Sequence, residues 1–282
     1  SNLEYVNNKT MYCVHRITNN EEIEKLWHVG SEFTINDEID SRMCQNVMYS
    51  NPLPYLTLSD GTNSVTITQL NGLIQNHTDV SYSGLYTVYE DSDKRCDDTI
   101  WDMYGDFGFE SGDKGNYKVE GDSWNREHSI PQSWFGEASP MKSDAFHVVP
   151  TDGKINGMRS NYPFGEVSSP TYSYSRTEYV TVSNKLGTSS FPGYTGKVFE
   201  PSDCYKGDFA RTYFYFATCY KNRATSGEGS AVFCSNANNG YLTDYAKNLF
   251  LKWNKLDPVS TKEVERNDAV FKHQKNRNPY ID

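Results

Sequence analysis

No stretch of this 282-residue chain approaches the ~20 consecutive apolar residues of a membrane-spanning helix. The sequence also lacks a Cys-x-x-Cys pair, a His-Glu-x-x-His pair, a glycine-rich phosphate loop and a Gly-x-Ser-x-Gly elbow. Those absences argue against a membrane span, a thiolate zinc site, a zinc peptidase, a loop-cradled nucleotide and a serine hydrolase. Cations are in deficit, with 27 Lys and Arg against 37 Asp and Glu and a net charge of −10. Taken alone, that argues against nucleic acid, because affinity for a phosphate backbone comes largely from cations. Net charge does not report local fields, however. Residues 1–60 hold nine acids against Lys9, Arg16, Lys25 and Arg42, whereas residues 246–282 hold eight Lys or Arg against five acids. Lys272, Lys275 and Arg277 cluster there. The expectation is a locally positive cleft on an acidic body, with modest affinity and strong salt sensitivity. No repeat or low-complexity tract occurs, and nothing asks for an obligate protein partner.

Hydrophobic residues make up 36% of the chain, enough for a core, and 21 tyrosines give an aromatic-rich, polar composition that reads as extracellular. The chain starts at Ser1-Asn2, with neither an initiator Met nor a signal-peptide pattern. It therefore reads as a mature secreted form whose targeting segment has been removed, a lipid anchor upstream being left open. Six cysteines, at 13, 44, 96, 204, 219 and 234, form an even set. In a secreted protein they allow three disulfides, with Cys13–Cys44 the first pairing to try; buried free thiols are the alternative.

Residues 1–66 read as an acidic extension whose role is not legible. It has a short helix over 20–27 and turns at Asn51-Pro52-Leu53-Pro54 and Asp60-Gly61. The main domain spans 67–282. Its first helix is expected over Thr66–Asn76, followed by loops and short strands over 78–121, with Gly105–Gly121 a loop. Residues 170–200 suggest a hairpin, and 175–182 have strand composition. The last third is helical. Asp208 can cap a helix running to Tyr220 that is apolar nearly all round. Leu242, Tyr245, Ala246, Leu249, Phe250 and Trp253 keep helical spacing. Ser260 and Glu263 form a capping-box signature. The fold class is α+β.

The chemistry concentrates in two segments. In the first, 124–134, Glu127 and His128 are adjacent. On a strand they would point to opposite faces, so they can serve two roles. Glu127 suits a hard cation such as Mg²⁺, and His128 has a pKa suited to a general base. In the second, 144–161, a strand around 146–150 leads into a helix that Thr151 or Asp152 can cap. Asn156 and Arg159 then lie i, i+3 on that helix, an amide oxygen for the metal and a guanidinium for a phosphate. Gly153 and Gly157 weaken this helix, so tertiary contacts or a ligand must support it. Singly, each residue has an ordinary reading: a chance Glu-His pair, a turn asparagine, a solvated arginine.

Together, the segments Asn125-Arg126-Glu127-His128-Ser129, Pro150-Thr151-Asp152-Gly153, 155–167 and 276–282 resemble the bacterial endonuclease I family of secreted nucleases. Ser81-Tyr82-Ser83, 100–104 and 206–211 add to the likeness, which covers roughly 67–282. The resemblance implies a ββα-metal (His-Me) finger embedded in a mainly helical mixed domain. It implies that His128 is the general base and that Glu127 and Asn156 hold a single Mg²⁺, with Ca²⁺ or Mn²⁺ as substitutes. It further implies cleavage of DNA, and often RNA, with little sequence preference, leaving 5′-phosphate ends. Arg159 is assigned to the phosphate from charge and spacing, and Arg126, Arg211 and Arg277 to substrate binding. For Arg211 and Arg266, helix-surface ion pairs are the competing reading. His147 and Asp144 are expected behind the finger. Many relatives have His where this chain has Phe146, which bears on how His128 or the metal is oriented. Two rival readings remain. One is a secreted glycoside hydrolase using carboxylates such as Glu110, Glu120 and Glu127. The other is an inactive cell-surface binding module.

Overall fold

The structure is a computed structural model that describes residues 67–282. The expected helix over 20–27, the turns before residue 62, the Cys13–Cys44 pairing and the extension itself lie outside the described residues. Among the described residues, six α-helices and three small antiparallel sheets make a mixed α+β fold.

Helix α1 (Ile67–Ile74) stands where expected. Helix α2 (Leu85–Ser92) falls in a stretch expected to hold only loops and short strands. Its buried residues, Leu85, Val88, Tyr89 and Ser92, keep helical spacing, but its Tyr, Val and Thr also suit a strand. Two-residue strands β1 (Ile100–Trp101) and β2 (Gly108–Phe109) pair, and the loop between them is tied down by Asp102. That carboxylate accepts backbone N–H bonds from Tyr104, Gly105, Phe107 and, at 2.7 Å, Asp152.

Strand β3 (Trp124–His128) pairs with β4 (Val148–Asp152), and β4 runs directly into helix α3 (Gly153–Arg159). Asp152 ends the strand and caps the helix, its carboxylate accepting from Ile155 N at 2.8 Å. The glycines of α3 have a packing reason, because Tyr117 lies across them. A Cβ at Gly157 would sit 2.3 Å from the Tyr117 hydroxyl, and one at Gly153 2.6 Å from its ring.

Strands β5 (Val167–Thr177), β6 (Thr181–Ser189) and β7 (Lys197–Glu200) form a meander. The expected strand at 175–182 in fact straddles the β5–β6 turn, because strand-forming residues continue through it. Asp106 fixes that turn by accepting from the N–H groups of Glu178, Tyr179 and Val180. Helix α4 (Lys206–Tyr220) begins two residues before Asp208, which lies in its first turn, and is buried on nearly every side. Helix α5 (Asp244–Leu256) packs along it through Phe250, whose ring lies 4.4 Å from that of Tyr213. Cys204, Cys219 and Cys234 are free thiols.

Helix α6 (Thr261–Gln274) starts with the expected capping box: Ser260 Oγ accepts from Glu263 N, and the Glu263 carboxylate accepts from Ser260 N. Ser260→Ala should lower unfolding free energy by ~1 kcal/mol in urea melts. An unchanged midpoint would mean that the cap contributes nothing net.

Candidate active site

The β3–β4 register, Trp124 opposite Asp152 and His128 opposite Val148, sends alternate β3 side chains to opposite faces. Asn125 and Glu127 meet α3, where Asn156 Nδ2 donates to Asn125 Oδ1 at 2.6 Å and Arg159 Nη1 donates to Glu127 Oε1. Arg126 and His128 meet Tyr82 instead. The guanidinium carbon lies 3.5 Å from the Tyr82 centroid, and the His128 ring stacks on Tyr82 at 5.8 Å and 30°. The adjacent carboxylate and imidazole are thus divided between two faces.

Glu127 is 2% exposed. Its Oε1 takes both hydrogen bonds, from Arg159 and, at 2.9 Å, from the Tyr104 hydroxyl; Oε2 takes none. Burial pushes its pKa up to about 7, against the pull of Arg159 and Tyr104. On α3, the Asn156 amide spends its nitrogen on Asn125, which leaves Oδ1 without a partner. A buried carboxylate oxygen and an amide oxygen, both unengaged, are hard donors of the kind that Mg²⁺, Ca²⁺ and Mn²⁺ prefer. These residues fit such a cation.

His128 Nε2 lies 3.0 Å from the Lys142 carbonyl. A carbonyl only accepts, so Nε2 carries the proton. Burial, with His147 and the cations Arg126 and Lys142 nearby, pushes the ring pKa down to about 3. The imidazole is therefore neutral near pH 7, with its lone pair on Nδ1. His147, fully buried, donates Nε2–H to the Met141 carbonyl at 2.6 Å, and burial pushes its pKa down to about 4. One 3₁₀ turn, Met141–Ser143, thus offers successive carbonyls to the two imidazoles.

Asp144 ends that turn. Its oxygens accept from Phe146 N, Gln274, Tyr215 and Tyr220. His77, Asp144 and Cys219 bring possible ligand atoms within 4.8 Å of one another. Those four donors already occupy the carboxylate, and burial holds Cys219 as a thiol. Phe146 packs on Tyr215 with centroids 4.8 Å apart.

Three expected substrate arginines are placed otherwise. Arg159 is fully buried and is turned inward from α3, not beside Asn156 on an open face. Besides Glu127, its donors engage the carbonyls of His128 (2.7 Å), Ser129 (2.6 Å) and Tyr162 (3.2 Å). These four bonds and its complete burial keep it from a phosphate; it orients Glu127. Arg211 pairs with Glu263 at 2.5 Å and bonds Asn254 and the Asp257 carbonyl. Arg277 grips Asp282 with two nitrogens and Asp268 with one. Lys262 and Arg266 pair with Asp208 and Asp93. Much of the C-terminal basic surplus is therefore spent on internal pairs. Arg126 alone of the named substrate arginines stays half-buried beside His128.

Sequence reasoning missed Tyr104, Asn125, Tyr82 and the Lys142 carbonyl. Tyr82, Tyr104 and Asn125 lie inside the motifs, but nothing in a motif marks a residue as an orienting partner. A main-chain carbonyl leaves no side-chain signal at all.

The chain is 32% identical to an extracellular ribonuclease of Bacillus subtilis over 219 residues, covering 76% of this chain and 69% of that protein. It is 30% identical to an endonuclease-1 of Buchnera aphidicola over 141 residues, 50% of this chain and 46% of the relative. A periplasmic deoxyribonuclease of Aeromonas hydrophila matches at 25% over 146 residues, 52% of this chain and 50% of that protein. None of these names supports a glycoside hydrolase. The family described as Endonuclease I matches residues 62–282, and with the strand–strand–helix unit at its centre the chain belongs to that family of nucleases.

Proposed function

We propose that this nuclease is a secreted, Mg²⁺-dependent, sequence-nonspecific endonuclease that hydrolyses DNA, and RNA as well, to 5′-phosphate products. The observation that carries the reading is the bond from His128 Nε2 to the Lys142 carbonyl, which leaves Nδ1 as a neutral base. The names of the relatives include both ribonuclease and deoxyribonuclease, and both extracellular and periplasmic proteins.

Glu127 Oε2 and Asn156 Oδ1 would hold the cation. When bound, it would stabilise charge on the phosphate and assist departure of the 3′ oxygen. His128 Nδ1 takes the proton of the attacking water, and its Nε2–H bond strengthens as the ring becomes cationic. Arg159 and Tyr104 hold Glu127 Oε1, so that Oε2 faces outward. Asn125 fixes the amide of Asn156 in the orientation that presents oxygen. Arg126 lies where it can meet a phosphate.

Supercoiled plasmid nicking tests the reading. It should proceed with Mg²⁺, stop in EDTA, and stop in Glu127→Ala. Calorimetry on that variant should show metal affinity weaker by about tenfold or more, because affinity follows ligand charge. Nicking that continues in EDTA would end the metal assignment. Absence of cleavage at every metal and salt concentration would leave a binding module on an inherited scaffold.

A further inference from the structure

A run of cations and aromatic rings alternates beside His128. Lys142 Nζ, paired with Glu137 at 2.6 Å, lies 5.4 Å from the Tyr82 centroid, and Arg126 lies 3.5 Å from the same ring. Arg126 also lies 4.3 Å from the Tyr86 ring, and Lys114 Nζ 4.6 Å from it. Tyr82, in the turn before α2, and Tyr86, in its first turn, are half-buried, and Lys114 is exposed. The order is therefore Lys142, Tyr82, Arg126, Tyr86, Lys114, each neighbouring pair of cations sharing one ring. The row is anchored to the site at two points. Tyr82 stacks on His128, and the main chain of Lys142 accepts the His128 Nε2 proton.

The rings are not open to bases. Tyr82 is in contact with His128 as well as with Arg126. Tyr86 carries Arg126 and Lys114 and meets Trp124 and Tyr89 edge to face. The rings therefore act as stiff platforms for cations, which lose less freedom on binding than solvated side chains would. Arg126 is pinned further by one bond, Nη1 to the Tyr82 carbonyl at 2.6 Å, while among the described residues Nε and Nη2 have no hydrogen-bond partner. A planar fork fixed at one corner and free at the others suits phosphate oxygens. Such contacts hold a strand without reading its sequence, and they ignore the 2′-hydroxyl.

We infer that Arg126 and Lys114, held by Tyr82 and Tyr86, form a phosphate track along which a DNA or RNA strand is laid beside His128. The inference rests on the nuclease reading above and adds to it where the strand lies. It also gives a physical reason for indifference to base and sugar on a chain of net charge −10.

The test is binding by the full chain in EDTA, where no turnover occurs. Anisotropy of labelled DNA and RNA oligonucleotides is followed against salt concentration for wild type, Arg126→Gln, Lys114→Gln and the double variant. The slope of log K against log salt should fall by about 1 for each cation removed, equally for DNA and RNA and for different sequences. Tyr86→Leu removes the shared ring and keeps both charges, so it should weaken binding with the slope unchanged. Thermal melts of each variant separate lost binding from lost folding. Unchanged slopes in folded Arg126→Gln and Lys114→Gln would overturn the track. If wild type still nicks plasmid with Mg²⁺, that result leaves the nuclease reading standing; if it does not, the reading itself has failed. A loss confined to one base sequence or one sugar would also overturn the track, since it would show readout by these residues.

Discussion

His128→Ala should nick supercoiled plasmid roughly 10²–10⁴-fold more slowly than wild type at saturating Mg²⁺, the usual contribution of a positioned general base. The imidazole is the neutral base that the structure places next to Glu127, and the Lys142 carbonyl commits its proton to Nε2. His147 is held the same way with its Nδ1 unpartnered, but it is 0% exposed, against 7% for His128. Truncation also loses one hydrogen bond and the stacking on Tyr82, a modest cost to the fold. Metal affinity should hold, because Glu127 faces α3, the helix that carries Asn156, on the other side of β3. Added imidazole should restore part of the rate, which a purely structural defect would not allow. Cleavage at the wild-type rate in the folded variant would end the mechanism. The pH profile separates the two titrating residues. His128, pushed down to about 3, is already neutral across the working range, whereas Glu127, pushed up to about 7, binds protons in competition with metal. At limiting Mg²⁺ the rate should fall as pH drops through 7, and excess Mg²⁺ should move that limb to lower pH.

The parts of this molecule that sequence made legible are those in which a local pattern carries a local cause. The capping box at Ser260, the amphipathic spacing from Tyr245 to Trp253 and the Asp152 cap before α3 all act within a few residues of chain, and all three stand in the structure. The pairing of Glu127 with Asn156's helix followed from motif spacing. What spacing could not supply was direction. Arg159 lies three residues from Asn156, and charge alone placed it beside the substrate. Yet α3 is a short helix pressed against β3, and the inward position collects the Glu127 carboxylate and three carbonyls, of which that of Ser129 is shared with the Tyr213 hydroxyl. Arg211 and Arg277 were misplaced for the same reason. Their acidic partners, Glu263 and Asp282, are 52 and five residues away, and only folding shows that the pairs close. The basic surface near His128 went unread because its members, Lys114, Arg126 and Lys142, are scattered along the chain and are united by Tyr86 on α2, a helix that composition concealed, and Tyr82 in the turn before it.

Arg159→Met should destabilise the protein by ~3–5 kcal/mol, the usual consequence of removing one partner of a buried ion pair. Domains of this kind hold only ~5–15 kcal/mol in total, so the variant should unfold at far lower urea. Arg159 is 0% exposed, its guanidinium lies 4.6 Å from the Phe164 ring, and methionine can fill much of its volume. The loss should therefore come from polar groups: Glu127 without its cation, the carbonyls of His128 and Tyr162 without the guanidinium, and that of Ser129 left to the Tyr213 hydroxyl alone. Its pH dependence identifies the source. Glu127 has an ordinary value of 4.5 and sits at about 7 in the fold, so it contributes stability fully below about 4.5 and loses it as pH rises through 7. Taking away Arg159, the strongest influence holding that carboxyl down, raises it further and extends the loss to higher pH. At pH 5 the carboxyl is mostly protonated in both folded proteins, so the gap between variant and wild type should be smaller there than at pH 8. Adding Glu127→Gln to Arg159→Met should recover part of the deficit at pH 8 and little at pH 5. A gap of equal size at both pH values, unaltered by the second substitution, would mean that Arg159 holds the main chain alone. In that case the orientation of Glu127 Oε2 toward a metal must come from Tyr104.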